Sequence, residues 1–474
     1  MESDIDRFSV PRASAVPWVR RARNTIRVAA AVVRDRNVPF ATMERIVERQ
    51  ARRVQAIVRF AYETVPFYRR VMDERGLKPR DFQDADDLAK LPLIDGRMVR
   101  EDPKDFVSSA AGRMTGIALH SSGSQSSVRR TVYWDEKSVV TGLVYGERDR
   151  SVLRAYQRGA ETWTGQRISM LRHDATAIGV ANYRADRILV PRGALPTHMV
   201  APDQPIERVV ERFNEIRPSV VFSYGSYASF FFRVVRELSL DVALPRVWVY
   251  GSDMLERSER LAIESDFGCP MHSTYQSVET DRLGFLCEER TGFHLNVDLC
   301  AVHLVDEAGC PVEPGVPGEV VISNLRNRAM VLLNYRLGDV GVMSTSPCRC
   351  GRTLPMLESL VGRRGAVIRL PDGRDVSDLI FSERCATSLE GVLFWQVVQE
   401  APDRILWRVV PSPRVVISGL ERGLIAQTEA LTGPDVAARV ELLDSFPATS
   451  SGKVSRIVPT KTELPQDPST TPDP

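Results

Sequence analysis

Between Ile206 and Gly268 the chain alternates helix-like and strand-like segments, and this alternation constrains its fold more than any other stretch. Apolar residues in Ile206–Ile216 recur at helical spacing, and Ser219–Ser223 is a short run of strand length. Tyr227–Leu238 again suits a helix, and Arg246–Tyr250 a second strand. A helix over Glu256–Asp266 then meets Gly268, a residue that readily takes the left-handed backbone that ends helices. Strand, helix, strand in sequence predicts a largely parallel sheet, because the chain must cross back before the next strand can run the same way. Such sheets bind ligands at the carboxyl ends of their strands, which makes the loop Gly251-Ser252-Asp253 a candidate binding edge.

At 474 residues the chain exceeds what one ordinary core accommodates. Residues 41–64 read as an amphipathic helix with Val47, Ala51, Val54, Val58 and Ala61 on one face. The basic stretch from Arg20 to Arg70 is read as a solvated helical face rather than a membrane or nucleic-acid surface. Ala301–Val305 and Glu319–Ser323, separated by Gly/Pro-rich turns, suggest a smaller β unit. A boundary falls at Gly362-Arg363-Arg364-Gly365, after which Val367–Leu370, Val392–Val398 and Ile405–Val410 suggest a small α+β domain. The expected fold is α/β. A large N-terminal domain of several subdomains, with mostly parallel sheets and a β unit, spans residues 1–361. A small mobile α+β domain spans 362–460, and a disordered tail 461–474.

A net charge of +2 gives no support for a nucleic-acid binder. The apolar run Val28–Val33 is too short to span a bilayer, and its arginine flanks do not suit a signal peptide, so a cytoplasmic protein without a membrane partner is expected. Seven cysteines, an odd number, argue against a disulfide framework and leave metal binding or core packing.

Four segments carry candidate chemistry. In His120-Ser121-Ser122-Gly123-Ser124-Gln125-Ser126-Ser127, small hydroxyl residues around a glycine let backbone N–H groups approach phosphate oxygens. In Ser273-Thr274-Tyr275-Gln276-Ser277-Val278-Glu279, a carboxylate follows a hydroxyl-rich strand end, a placement that suits Mg²⁺ against a nucleotide. Tyr335-Arg336-Leu337-Gly338-Asp339 and Ser451-Gly452-Lys453 complete the set. Singly, each reads better as a polar surface loop. Cys287, His294, Cys348 and Cys350 are a different case, because three thiolates and an imidazole make a closed tetrahedral set for structural Zn²⁺. The Cys-x-Cys spacing is tighter than the usual Cys-x₂-Cys, and packed free cysteines are the competing reading. Cys269 with His272 is a weaker rival pair.

Taken together and in this order, the segments resemble the adenylate-forming superfamily of acyl-CoA synthetases, peptide-synthetase adenylation domains and luciferases. More narrowly, Ala61-Tyr62-Glu63-Thr64-Val65-Pro66-Phe67-Tyr68 and Asp87-Leu88-Ala89-Lys90-Leu91-Pro92-Leu93 resemble the phenylacetate–CoA ligase branch, as does the segment around Cys348 and Cys350. The resemblance covers roughly residues 50–460. It implies that Ser121, Ser122, Gly123 and Ser124 bind phosphate, and that Gly251, Ser252 and Asp253 line the adenine pocket with Tyr275 packed on the base. It further implies that Glu279 holds Mg²⁺, Asp339 the ribose hydroxyls, and that Arg363 lies near the phosphate at the domain junction. Lys453 is then the mobile lysine that reaches the carboxylate and α-phosphate.

The implied activity uses ATP to turn a carboxylic acid, expected to be aromatic, into an acyl-adenylate that is passed to CoA. The alternatives are an amide synthetase or carrier-protein loading ligase, and a degenerate, non-catalytic, zinc-stabilised binding protein. Phe222, Tyr224 and Tyr227 belong either to an aryl pocket or to the core. The chain departs from the family at several places. Gln125, Ser126 and Ser127 replace the usual Thr-Gly-Lys of the phosphate loop, with Arg129 and Arg130 following as substitute cations. Gly365 stands where a hinge carboxylate is usual, and Leu337 where a threonine is common.

Overall fold

The computed structural model describes residues 16–121, 130–156, 165–171, 176–189, 197–253, 255–363, 367–377, 380–381, 384–385, 388–447, 454 and 456–459. The chain divides into two compact units, one containing the described residues up to Arg363 and the other those of 367–447 and 456–459.

The first unit opens with helices α1 (Trp18–Asp35), α2 (Met43–Thr64) and α3 (Pro66–Glu74). Helix α2 buries Ile46, Val54, Ile57, Val58 and Ala61. Val47, expected on that face, is instead 46% exposed, because the buried stripe follows Ile46 and Ile57. Pro66 starts α3 directly after α2, where its missing N–H costs nothing. Buried Tyr68 on α3 accepts a hydrogen bond from the Leu333 N–H at 2.7 Å, anchoring this helix to the segment that leads into the ribose-candidate strand. Asp95 caps the short α4 (Gly96–Glu101) by accepting from the Arg97 and Met98 N–H groups. Strands β1 (Gly116–His120) and β2 (Thr131–Asp135) form an antiparallel hairpin. Helices α5 (Glu136–Thr141) and α6 (Leu143–Tyr156) follow.

The alternation seen in the sequence produces β3 (Arg167–Ser169), α7 (Thr176–Arg187), β4 (Thr197–Met199), α8 (Ile206–Ile216), β5 (Val220–Tyr224), α9 (Gly225–Glu237), β6 (Val247–Gly251), α10 (Arg257–Phe267) and β7 (Met271–Ser277). Helix α10 stops at Gly268, whose φ of +59° is the left-handed cap expected there. Trp248 is fully buried among Phe213, Phe231 and Phe232, with ring centroids 5.0–5.8 Å away, and locks α8 and α9 onto β6. Tyr224 and Tyr227 are buried at 2% and 1% exposure, so both are core residues, whereas Phe222 is half-buried.

Strands β8 (Asp281–Leu286), β9 (Phe293–Leu295), β10 (Cys300–Val305), β11 (Pro317–Asn324), β12 (Tyr335–Met343) and β13 (Met356–Arg363) complete the unit. All but β1 and β2 join one eleven-stranded sheet in the order β10-β11-β12-β13-β9-β8-β7-β6-β5-β3-β4. The α/β class holds, but the sheet is mixed. It is parallel from β7 through β4 and antiparallel from β7 through β10. The mostly parallel arrangement expected from the sequence therefore holds only for the alternating segment. The β unit is the antiparallel half of the same sheet, since hairpins need no crossover helix.

In the second unit, β14 (Val367–Arg369) pairs with β15 (Asp375–Ser377). Strands β16 (Val392–Ala401), β17 (Arg404–Pro411), β18 (Ala437–Leu442) and β19 (Ile457–Val458) form a sheet ordered β18-β17-β16-β19. It carries α11 (Ile417–Thr432), whose Thr428 hydroxyl accepts from the Trp407 indole at 2.9 Å. No described helix is long and apolar enough to cross a membrane.

Candidate active site and metal centre

Strand β7 is the seam where the parallel and antiparallel halves meet. Its carboxyl end supplies Tyr275, and the turn after it supplies Glu279. Tyr275 donates to Asp339 Oδ2 at 2.7 Å. Glu279 is 3% exposed, and its Oε1 accepts from the Tyr335 hydroxyl at 3.4 Å and lies 3.5 Å from Arg130 Nη2. Arg130 also donates to Tyr335 Oη through a short hydrogen bond. Burial first, and then the Glu279 carboxylate, push the Tyr335 phenol well above its ordinary range, so it stays a donor. The backbone of the turn is pinned by Asn324, which donates to Glu279 O at 2.7 Å, and by Trp134, which donates to Val278 O at 2.8 Å.

Both links join β7 to β12, four strands away in the sheet. On a flat sheet four spacings would hold them about 19 Å apart. Direct hydrogen bonds therefore require the antiparallel half to curl back on the seam. A bulge aims Asp339. Arg336 and Val340 of β12 pair with Val321 and Glu319 of β11, so three residues, Leu337–Asp339, face the single Val320. Gly338 within the bulge has φ +84° and an open surrounding, so backbone conformation rather than space favours glycine there.

The hairpin of β1 and β2 closes with Ser121 N–H donating to Arg130 O at 2.9 Å and Arg130 N–H donating to Ser121 Oγ at 3.0 Å. Ser121 thus stands at the loop base beside the arginine that reaches Glu279. Ser122, Gly123 and Ser124, with Gln125, Ser126, Ser127 and Arg129, lie outside the described residues, as do Gly365, Lys453 and the tail from 461. Arg363 is the backbone partner of Asp339 across β12 and β13.

Gly251 ends β6, and Ser252 has a positive φ of 72°. The Asp253 carboxylate accepts from Gly225 N–H, from Ser226 N–H at 3.3 Å and from the Ser226 hydroxyl at 2.5 Å, capping α9. The carboxylate of this adenine-pocket candidate is committed to holding the loop against a helix start.

Cys287 follows β8, His294 lies on β9, and Cys348 and Cys350 come from the connection between β12 and β13. Their ligand atoms all lie within 4.8 Å of one another. Cys287 Sγ is 3.6 Å from Cys348 Sγ, and Cys350 Sγ is 3.3 Å from His294 Nε2. A tetrahedral zinc site with ordinary bond lengths has sulfur–sulfur edges of about 3.8 Å, so the set fits the ion. His294 Nδ1 is 3.2 Å from Leu354 O, which as acceptor assigns the proton to Nδ1 and leaves Nε2 to bind. Burial lowers the pKa of His294, keeping it neutral, and pushes the Cys287 thiol up to about 12, a cost that a bound cation reverses. Gly292, before β9, permits the close packing of this corner, since a Cβ would sit 2.7 Å from Leu357 O. The rival pair does not form: Cys269 points to Pro245 O, and His272 Nε2 is bound to Asp149.

Tyr335, Asn324 and Trp134 carried no role in the sequence reading. Only Tyr335 offered a local signal, its place in the segment that contains Asp339.

No family model matches the chain. It is 27% identical over 331 residues to a phenylacetate–coenzyme A ligase of Thermus thermophilus, covering 68% of this chain and 71% of the relative. A phenylacetate–coenzyme A ligase of Escherichia coli is 24% identical over 344 residues, covering 69% and 73%. Among solved structures, a 2-hydroxyisobutyryl-CoA ligase in the postadenylation state, in complex with R3-HIB-AMP, superposes with a TM-score of 0.62 at 18% identity over 96% of this chain and 94% of that one. The fold is that of the adenylate-forming ligases. Within that class the chain is a relative of the phenylacetate–coenzyme A ligase branch, as the segments Ala61–Tyr68 and Asp87–Leu93 implied.

Proposed function

We propose that the chain is an AMP-forming acid–CoA ligase acting on an aromatic carboxylic acid. The acid's carboxylate oxygen attacks the α-phosphorus of ATP and the bond to pyrophosphate breaks. The CoA thiol then attacks the acyl carbon of the adenylate and AMP leaves. The observation that carries this reading is the pair of links Tyr275–Asp339 and Arg130–Tyr335–Glu279, which gather polar and charged groups at the carboxyl end of the seam strand.

In this reading Asp339 receives the ribose hydroxyls and Tyr275, oriented by its bond to Asp339, packs on adenine beside Gly251, Ser252 and Asp253. Ser121, Ser122, Gly123 and Ser124 embrace the phosphates, and Arg363 lies near them. Negative charge accumulates on the phosphate oxygens during the first attack, so Lys453 and Arg130 lower that barrier as cations. Glu279, whose described carboxylate contacts fall on Oε1, would hold Mg²⁺, which would supply further positive charge for the phosphates. Cys287, His294, Cys348 and Cys350 would hold Zn²⁺, which would tie the segment after β8, β9 and the β12–β13 connection together outside the chemistry. A cytoplasmic setting, where ATP and CoA are both available, goes with this reading.

The test is a panel of carboxylic acids with ATP, Mg²⁺ and hydroxylamine, read as hydroxamate, followed by CoA or amines as acceptors. An aryl acid giving hydroxamate and then an acyl-CoA is the expected result. An amide product would move the enzyme to the amide-forming alternative, and no hydroxamate with any acid would favour the non-catalytic one. Lys453→Ala is expected to cut acid-dependent pyrophosphate release by about 10²–10³-fold with the fold unchanged.

A further inference from the structure

Helix α1 is attached to the first unit largely by polar contacts, with Ala31 and Val32 packing on the core. Asn24, 1% exposed, donates to Glu136 Oε1 at 3.1 Å and to Arg187 O at 3.2 Å. Arg20 pairs with Glu136 at 2.8 Å, Arg21 donates to Ile188 O at 2.9 Å, and Thr25 Oγ1 accepts from Leu189 N–H at 2.7 Å. The opposite side carries Val19, Ile26 and Val33, seven residues apart and 70%, 70% and 66% exposed, with alanines between them. Trp18 at the start of the helix is 69% exposed. A surface helix ordinarily does the reverse, burying its apolar stripe and showing its polar one.

The charge around this stripe is of one sign. At 100° per residue, Arg23 and Arg34 fall on one flank and Arg36 on the other, and all three are exposed. The helix has no acidic residue before Asp35, which is buried and bound by Arg34 and Arg49. An outward aliphatic stripe with an aromatic residue at one end, Arg23 beside it and Arg36 at the helix end suits a helix lying in a lipid headgroup region. A second copy of the chain suits it poorly, because a two-fold contact would bring the arginine flanks together with no carboxylate on the face. A nucleic acid would leave the aliphatic stripe uncovered.

We propose that the outward face of α1 docks the enzyme peripherally on an anionic bilayer, the apolar stripe entering the interface and the arginines meeting lipid phosphates. The stretch read from sequence as a solvated face is then a binding surface, independent of the ATP chemistry.

The experiment is flotation of the full-length chain with vesicles of phosphatidylcholine alone and of phosphatidylcholine with phosphatidylglycerol. Binding is expected only to the anionic vesicles and is expected to weaken as salt rises. Arg23→Gln should weaken partitioning about fivefold, and Ile26→Ser about tenfold. Both substitutions are at exposed positions, so circular dichroism and melting temperature should stay unchanged. No binding to either vesicle overturns the proposal. So does binding that Ile26→Ser leaves intact, or concentration-dependent dimerisation in sedimentation that Ile26→Ser abolishes. Partitioning is read without substrate, so its failure leaves the ligase reading standing, and the converse holds.

Discussion

Arg130 and Glu279 lie far apart in the chain, yet the guanidinium sits on the carboxylate because the hairpin base and the seam turn converge at Tyr335. In the proposed reading, Arg130 is the cation at the base of the candidate phosphate loop, where Ser121 Oγ accepts from its N–H. Arg130→Lys keeps the charge but loses the planar fork that serves Tyr335 and Glu279 together. An approximately tenfold rise in the KM for ATP, with melting temperature little changed, is expected from losing one charged hydrogen bond. An unchanged KM across an Mg²⁺ titration would remove Arg130 from the site. The arginine was visible in the sequence as a candidate cation, but its partner was not. Glu279 comes from the turn after β7 and Tyr335 from β12, and no local spacing encodes a contact made by a curled sheet.

At the scale of elements, a buried charge cluster ties α2 and α6 to the segment between β9 and β10. Asp298, fully buried, accepts from Arg148 at 2.8 and 3.0 Å and from Arg49 at 3.1 Å. Burial would raise its pKa, but the Arg148 guanidinium, with Arg53 and Arg49, more than reverses this and holds it well below the carboxylate range. A carboxyl that binds its proton more weakly folded than unfolded stabilises the fold above its unfolded pKa of about 3.9 and loses that contribution as pH falls toward the folded value. Asp298→Asn is therefore expected to cost about 3–5 kcal/mol at pH 7, and to flatten the acid limb of a stability–pH profile. A variant as acid-labile as the native chain would contradict this. Helix α2 shows why such ties escape a sequence reading. Its amphipathic pattern was clear, yet two registers of the stripe were nearly equivalent, and packing chose Ile46 over Val47.

For the whole molecule, each unit has its own core, one around the large sheet and one around Trp395 and Trp407. The proposed zinc ligands all belong to the first unit. Calorimetry is expected to resolve two transitions, and Cys348→Ser should remove near-stoichiometric zinc and destabilise only the first, by more than about 4 kcal/mol. Absence of zinc from the purified chain, or an equal shift of both transitions, would overturn the assignment.

The α/β class, the alternating strands and helices from Ile206 to Gly268, and Cys287, His294, Cys348 and Cys350 as a candidate metal set could all be read from the chain alone. Periodicity and turn chemistry act over a few residues, and a metal set advertises itself by residue type. The curl that brings Asp339 to Tyr275, the Arg130–Tyr335–Glu279 bridge, and the outward apolar face of α1 could not be read that way. Each depends on which surfaces meet after strands far apart in sequence have paired, and side-chain spacing along one segment carries no record of that meeting.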